Sequence, residues 1–308
     1  MEIIIPKGTE ASRVKILFIA KGDFPDLQCD AIFHGARSMF GNDFVDVNRA
    51  WYMYKKDRNL YWNTRIPSNG REYGRGFHLS GTMPDDAGVD RSDILAKIKN
   101  RYFDYVIYGS ITRCVDYLNE VWTNYPRNQI LFMDGEDDQQ IRTQFLDMGH
   151  MFKRELTVAP TAILHPTQFG TPKEKMVQKI PEKTREYGTV IPGDMSTYIF
   201  DNEVDYYRDY QISYFGLTTK KGGWDCGRHY EILINGCVPY FPDIRGCPVH
   251  TMTKFPKDII TEVSDLLQSP SPEISDDWYF DIANKLLTYT KNELTTEHVV
   301  SNVLSYVT

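Results

Sequence analysis

At 308 residues the chain is too long for one small core and suits two units of about 150 residues each. Its net charge of −7 argues against a broad basic face for duplex DNA, though not against a local basic groove, and no apolar run approaches the roughly 20 residues of a membrane span. Five scattered cysteines, odd in number and without CxxC spacing, argue against a disulfide framework or a zinc site and fit a reducing, cytoplasmic setting. The opening MEIIIPKGTEASRVK lacks the charged-then-apolar layout of an export signal.

Taken in order, VKILFIA (Val14 to Ala20) is a continuous apolar run of strand length, as expected of a parallel strand buried on both faces. A turn at Lys21-Gly22-Asp23 leads into a helix with Leu27, Ala31, Ile32 and Met39 on its apolar side, closed by Gly41. DFVDVN is a second short strand. Trp51 to Gly81, rich in Tyr, Arg, Asn and Gly, reads as an extended insertion rather than core. A helix over Asp90 to Arg101, capped by Ser92 or Asp90, precedes the strand FDYVIYG, a helix over ITRCVDYLNEVWTNYP and the strand NQILFMDG. EDDQQIRTQFLDMG reads as another helix, and FKREL and TAILHPTQFG as strand-like. The alternation predicts a parallel sheet with right-handed crossovers.

The polar, Lys-rich stretch Pro172 to Arg185 is the expected boundary, giving an N-terminal unit over 1–172 and a C-terminal unit over 173–308. The second unit passes through EYGTVIPG and a tyrosine-rich helix (Asn202 to Tyr210). It then reaches ISYFGLTTKKGGWDCGRHYEILINGCVPYF, Ile212 to Phe241. This stretch reads as strand, basic Gly-rich loop, amphipathic helix from about Asp225 to Asn235, and strand, with Gly236 as the helix stop. A helix over FPKDIITEVSDLLQS, a Pro/Ser linker and two closing helices (Asp276 to Tyr289, Thr295 to Val307) end the chain.

Ligands of open α/β folds sit where strand ends meet helix N-termini, so this loop is the expected site for the phosphates and sugar of an activated donor. Arg228, one turn inside the helix, can clamp a diphosphate with bidentate hydrogen bonds, and Glu231 can accept both hydroxyls of a ribose. The alternative is an i, i+3 surface ion pair between the two. Lys153 and Arg154 could add positive charge to the same phosphates, or form a solvated surface pair. Asp23, at the end of the first strand, reads as a general base for an acceptor hydroxyl or as a turn residue. Asp30 and His34, four apart on the next helix, could form a catalytic Asp–His pair, or His34 could be structural. Asp134, Glu136, Asp137 and Asp138 read as helix-capping carboxylates in preference to a metal site.

HYEILINGCVPYF resembles the donor-side signature of GT-B glycosyltransferases, most closely the exostosin-like and spore-maturation-protein-like families of the YEAL-x-x-GC-x-PV type, with Glu231, Gly236, Cys237 and Pro239 at the matching offsets. DAIFHGARSMFGNDFVDV, a WYMY segment, ILFMDGEDD, and FKREL leading into ILHPTQFG resemble the first half of those families more loosely. The resemblance implies a GT-B fold: α/β, two Rossmann-like domains with parallel sheets facing across a cleft, the last helix crossing back to the N-terminal unit. It implies a metal-independent glycosyltransferase with no cofactor, a nucleotide-sugar acting as co-substrate. It assigns Glu231 to the nucleotide ribose, and Arg228 with Lys220 and Lys221 to the diphosphate. Thr219, Gly223 and Trp224 of the same loop complete the expected donor site. Some retaining GT-B enzymes carry a further glutamate where this chain has Gly223, so their mechanism is not carried over. The acceptor could be a glycan, a small molecule or a hydroxymethylated DNA base, as for phage DNA-modifying enzymes of this fold. A nucleotide- or sugar-binding module without activity is the remaining alternative.

Overall fold

The computed structural model describes residues 14–23, 25–57 and 79–307, and two parallel sheets organise them. The first has six strands: β1 (Ile16–Ile19), β2 (Phe44–Val47), β3 (Tyr105–Tyr108), β4 (Ile130–Asp134), β5 (His150–Lys153) and β6 (Leu164–Pro166). Their spatial order is β2-β1-β3-β4-β5-β6, all parallel, with Ile16 opposite Phe44 on one side and Tyr105 on the other. The central strands β1 and β3 are apolar because helices cover both faces, while Asp46, Asp134, His150, Lys153 and His165 are buried polar residues within the neighbouring strands. Ile16 and Phe18 pack toward α1 (Leu27–Phe40), while Leu17 and Ile19 pack toward α2 (Ile94–Lys99) and α3 (Leu118–Asn124). The chain goes from β1 to β2 on one side and then to β3 on the other, so the order reverses between β1 and β3. A crevice opens at that reversal, outside the carboxyl ends of the strands.

The second sheet is smaller, β7 (Arg185–Tyr187), β8 (Ser213–Leu217) and β9 (Val238–Tyr240), again parallel. On one side α4 (Glu203–Gln211) lays Tyr206, Tyr207 and Tyr210 against Ile232 and Ile234 of α5 (Gly227–Ile234). On the other, α6 (Lys257–Leu267) and α7 (Asp276–Glu293) bury Ile260, Val263, Tyr279, Ala283 and Leu286 against Phe215, Tyr230 and Val238. Gly236 stops α5 in the left-handed region at φ 64°, a conformation a side chain disfavours. Among the described residues, no helix is long and apolar enough to cross a membrane.

The chain ends on the first sheet's layer. Helix α8 (Thr296–Leu304) is capped by the Thr295 hydroxyl, which accepts from the His298 amide at 3.1 Å, and it buries Val299, Val300 and Val303 in the same core as Ala31, Ile32 and Phe33 of α1. The two helices meet so closely at Gly35 that a Cβ there would lie 2.2 Å from the Thr296 carbonyl oxygen.

Several local readings of the sequence are corrected. The stretch 136–149 is not a helix; it holds only a 3-10 turn at Thr143–Phe145. Its carboxylates are taken by cations instead: Asp138 by Arg142 and Lys153, Asp137 by Arg154, Glu136 by Arg113. The helix read over 111–126 is confined to α3, because Ser110 turns the chain first, its carbonyl accepting from the amides of Arg113 and Cys114. Helix α2 starts later than its expected caps, and Asp90 closes a turn onto the Ser92 amide at 2.9 Å. The ends of the supposed insertion belong to the core: Tyr52, Met53, Tyr54 and Leu79 are buried beside α1, and Tyr54 bridges Met83 just past it. The middle of that insertion, residues 58–78, lies outside the described residues, as does the N-terminal stretch 1–13.

Replacing Gly35 by alanine should lower unfolding stability by about 1–3 kcal/mol, the usual cost of overpacking a close contact. Urea denaturation should show an earlier midpoint with an unchanged slope.

Candidate functional site

The carboxyl ends of the two sheets meet at a buried ionic latch. Just beyond β5, Arg154 is 1% exposed; its Nε donates to the Gly135 carbonyl at 3.0 Å and its Nη1 to the Asp225 carbonyl at 2.5 Å and to Glu155 Oε1 at 2.9 Å, while Nη2 donates to Asp137. Glu155 in turn accepts from the backbone amides of Trp224 at 2.9 Å and Asp225 at 3.0 Å. The Asp225 carboxyl accepts from the Phe169 amide and the Tyr230 hydroxyl, both at 2.8 Å, and burial pushes it up to about 6. A Cβ on Gly223 would lie 2.4 Å from Glu155 Oε1, so glycine is what lets the loop approach. Leu27 at the start of α1 reaches Gly227 at the start of α5, so the first residues of the two helices are in contact.

This geometry changes the roles expected of several residues. Lys153 is fully buried and donates to Asp134 at 3.1 Å, Glu136 at 3.3 Å and Asp138 at 3.4 Å. Lys153 and Arg154 are therefore neither solvated nor turned toward a ligand; burying each cation requires that carboxylates and carbonyls surround it. The loop after β8 offers few backbone donors either. The Lys220 amide is held by Asp243 at 3.2 Å, that of Lys221 by the Gly223 carbonyl at 3.0 Å, and those of Trp224 and Asp225 by Glu155. Thr219 is half-buried at the loop's start, Lys220 is exposed, and Trp224 packs near Phe241 and Gly246.

What the loop and α5 do offer is side-chain charge. Arg228 is 6% exposed; its Nη2 donates to the Tyr198 hydroxyl at 2.5 Å, while its Nε and Nη1 have no hydrogen-bond partner among the described residues. Lys221 Nζ reaches the same hydroxyl at 3.4 Å, and burial, with the Arg228 charge beside it, pulls that ammonium down to about 8. Glu231, also buried, does not pair with Arg228. Its Oε2 accepts from the Tyr206 hydroxyl at 2.8 Å, and burial raises its carboxyl to about 6 against the opposing pull of that hydrogen bond and of Arg228. The surface ion-pair alternative therefore fails. His229, between them in sequence, points into the core: Nδ1 meets Thr218 and Nε2 meets the Trp224 carbonyl, each at 2.8 Å, and burial depresses it to about 3. Two cations, with open guanidinium donors and one carboxylate a turn away, can hold an anion that also carries hydroxyls.

Across the junction, the crevice between β1 and β3 contains a recess of about 20 Å³, room for roughly one water, lined among others by Asp26, Asp30, Tyr52, Ser110 and Arg113. Asp30 is buried and accepts from the Tyr52 hydroxyl; burial drives its carboxyl well above the usual range. Asp26 caps α1 and pairs with Arg113 at 2.6 Å. Asp23 is half-buried in the turn after β1. His34 does not join Asp30. Its Nδ1 meets the Thr296 hydroxyl at 2.7 Å and its Nε2 meets Glu174 at 3.0 Å, so both ring nitrogens tie α1 to α8 and to the segment before β7.

Three residues that the sequence reading missed complete the arrangement: Tyr198, Tyr206 and Glu155. The tyrosine-rich helix α4 was visible as composition, and its 3.6-residue period could have placed Tyr206 and Tyr210 on one face. Tyr198 and Glu155 carry no comparable signal, since their partners lie 30 and about 70 positions away.

Removing the Glu155 carboxylate takes one acceptor from the buried Arg154 and leaves two loop amides without theirs. Glu155→Ala should cost about 3–5 kcal/mol of stability, with Glu155→Gln losing less because one acceptor remains; urea unfolding of both variants checks the order. No protein-family model and no curated protein matches this sequence. Among solved structures, the chain is similar to the crystal structure of MurG from Acinetobacter baumannii, with a TM-score of 0.40 and 9% identity over 95% of this chain and 99% of that one.

Proposed function

We propose that the chain is a GT-B glycosyltransferase that moves a sugar from a nucleotide-diphosphate-sugar to an acceptor hydroxyl, working in the cytoplasm without a metal. The observation that carries this reading is Arg228: a guanidinium 6% exposed, with two donor nitrogens unpartnered among the described residues, beside Lys221 and one turn from the buried Glu231. The matching offsets of Glu231, Gly236, Cys237 and Pro239 to the exostosin-like pattern support it. So does the placement of this cluster beside the junction where the carboxyl ends of two parallel sheets meet.

In this reading Arg228 and Lys221 bind the donor diphosphate and stabilise the charge that grows on it as the glycosidic bond breaks. Glu231 accepts from the ribose hydroxyls. Exposed Lys220 reaches the outer phosphate. The crevice between β1 and β3 takes the acceptor, and Asp30, with its raised affinity for a proton, is the base that receives the hydroxyl proton. Tyr52, donating to Asp30, orients the carboxyl. Asp26 is a second carboxylate lining that recess, and Asp23 follows Gly22, which lines it too.

Arg228→Ala should weaken binding of a nucleoside diphosphate by at least tenfold and reduce turnover further, because the lost charge is needed most as the leaving group forms; calorimetry and initial rates test both. Unchanged binding would sink the assignment. Slow hydrolysis of nucleotide-sugars separates an enzyme from a binding module, and transfer assays on glycans, small alcohols and hydroxymethylated DNA identify the acceptor. The pH dependence has a defined sign. Glu231 accepts from both ribose hydroxyls best when ionised, and its carboxyl is raised to about 6, so donor affinity should be highest above pH 7 and fall, by at most about tenfold, toward pH 5. Glu231→Gln should lack that component of the profile.

A further inference from the structure

Tyr198 stands between the two cations of the donor site. It lies in the segment joining β7 to α4, which folds on itself: the Thr197 amide donates to the Asp194 carbonyl at 3.1 Å, the Ser196 amide to Asp194 Oδ1 at 3.0 Å, and the Ile191 amide to the Thr197 hydroxyl at 2.9 Å. This turn sits on the surface, with Ile191, Met195 and Ile199 exposed and Gly193 in the left-handed region with nothing near its Cβ position. From it, the Tyr198 hydroxyl reaches inward to Arg228 Nη2 at 2.5 Å and Lys221 Nζ at 3.4 Å.

A phenol is a weak partner for such a pair. It is neutral, presents one oxygen, and satisfies one donor of each cation, while Arg228 Nε and Nη1 stay unpartnered among the described residues. An anion with several oxygens would satisfy those donors as well and add negative charge beside them. It would have to take the place the hydroxyl now holds.

We propose that Tyr198 is a displaceable internal ligand of the anion site, its hydroxyl holding Arg228 and Lys221 until a diphosphate takes both and releases the 191–201 segment. This rests on the reading of Arg228 and Lys221 as diphosphate ligands and adds a regulation of that site. The internal contact competes with every incoming anion, so it sets the threshold affinity and favours ligands that engage both cations at once. It also keeps the two like charges oriented when no ligand is present.

The test uses inorganic pyrophosphate with the full chain. Tyr198→Phe keeps the ring and removes the competing oxygen, and calorimetry should show roughly three- to tenfold tighter binding than in the wild type. In the wild-type protein, pyrophosphate should speed backbone hydrogen exchange across 191–201, a readout that does not depend on the variant folding. Equal or weaker binding by the Tyr198→Phe variant overturns the proposal, as the tyrosine would then be a bystander or a ligand itself. Slower exchange on loading overturns it too, since the segment would be closing over the anion. In either case the donor-site reading survives if Arg228→Ala abolishes wild-type binding. If wild-type protein fails to bind pyrophosphate or any nucleoside diphosphate, that reading falls and the proposal with it.

Discussion

The buried guanidinium of Arg154 is the constraint on which the rest of this structure depends. Taking a charge of that size out of water costs several kcal/mol, and the cost is offset only when its donors find acceptors in good geometry. Arg154 finds them in both halves of the chain: Gly135, Asp137 and Glu155 from the first, and the Asp225 carbonyl from the second. The contact is made only when the carboxyl ends of the two sheets are brought together. Phe169 and Leu27 extend it with apolar contacts across the same junction, so ionic and hydrophobic terms favour one relative placement.

That latch also decides how the second half can bind a ligand. A Gly-rich loop before a helix commonly offers its backbone amides to an anion. Here Glu155 already occupies two of them, an internal carboxylate where a phosphate would otherwise sit, and Asp243 and Gly223 take others. Anion binding is left to side chains, and the side chains placed for it are Arg228 and Lys221. Their surroundings are phenolic: Tyr198 on the cations and Tyr206 on Glu231. Phenols are neutral at physiological pH, so they hold charged groups in position without cancelling them.

On the other side of the junction, the crevice between β1 and β3 follows from strand order alone, because the chain crosses β1 on its way from β2 to β3. What fills the crevice edge depends on helix α1, capped by Asp26 and carrying Asp30 in its first turn. Helix α1 is itself held by α8 at the far end of the chain, through the close approach at Gly35 and the His34–Thr296 hydrogen bond. The C-terminal helix thus positions a carboxylate at the crevice without touching it.

The sequence by itself determined the elements whose cause is local. Strands buried on both faces favour continuous apolar runs, so β1, β3 and the ILFM part of β4 could be read directly. The helix from Gly227 carries Arg228 and Glu231 on one side by its period, and Gly236 marks its end because the chain there turns left-handed. Tertiary structure decided every question of charge pairing. Four carboxylates at and after the end of β4 look like a helix's first turn, yet cations that lie mostly far off in sequence claim them and no helix forms. Lys153 and Arg154 look like a solvated pair, yet both are buried, because a charge's partner is set by proximity in space and leaves no periodic trace in sequence. The same holds for His34, drawn to Thr296 rather than to Asp30 four residues before it. It holds for Tyr198, whose place on Arg228 depends on a surface segment folding back over helix α5.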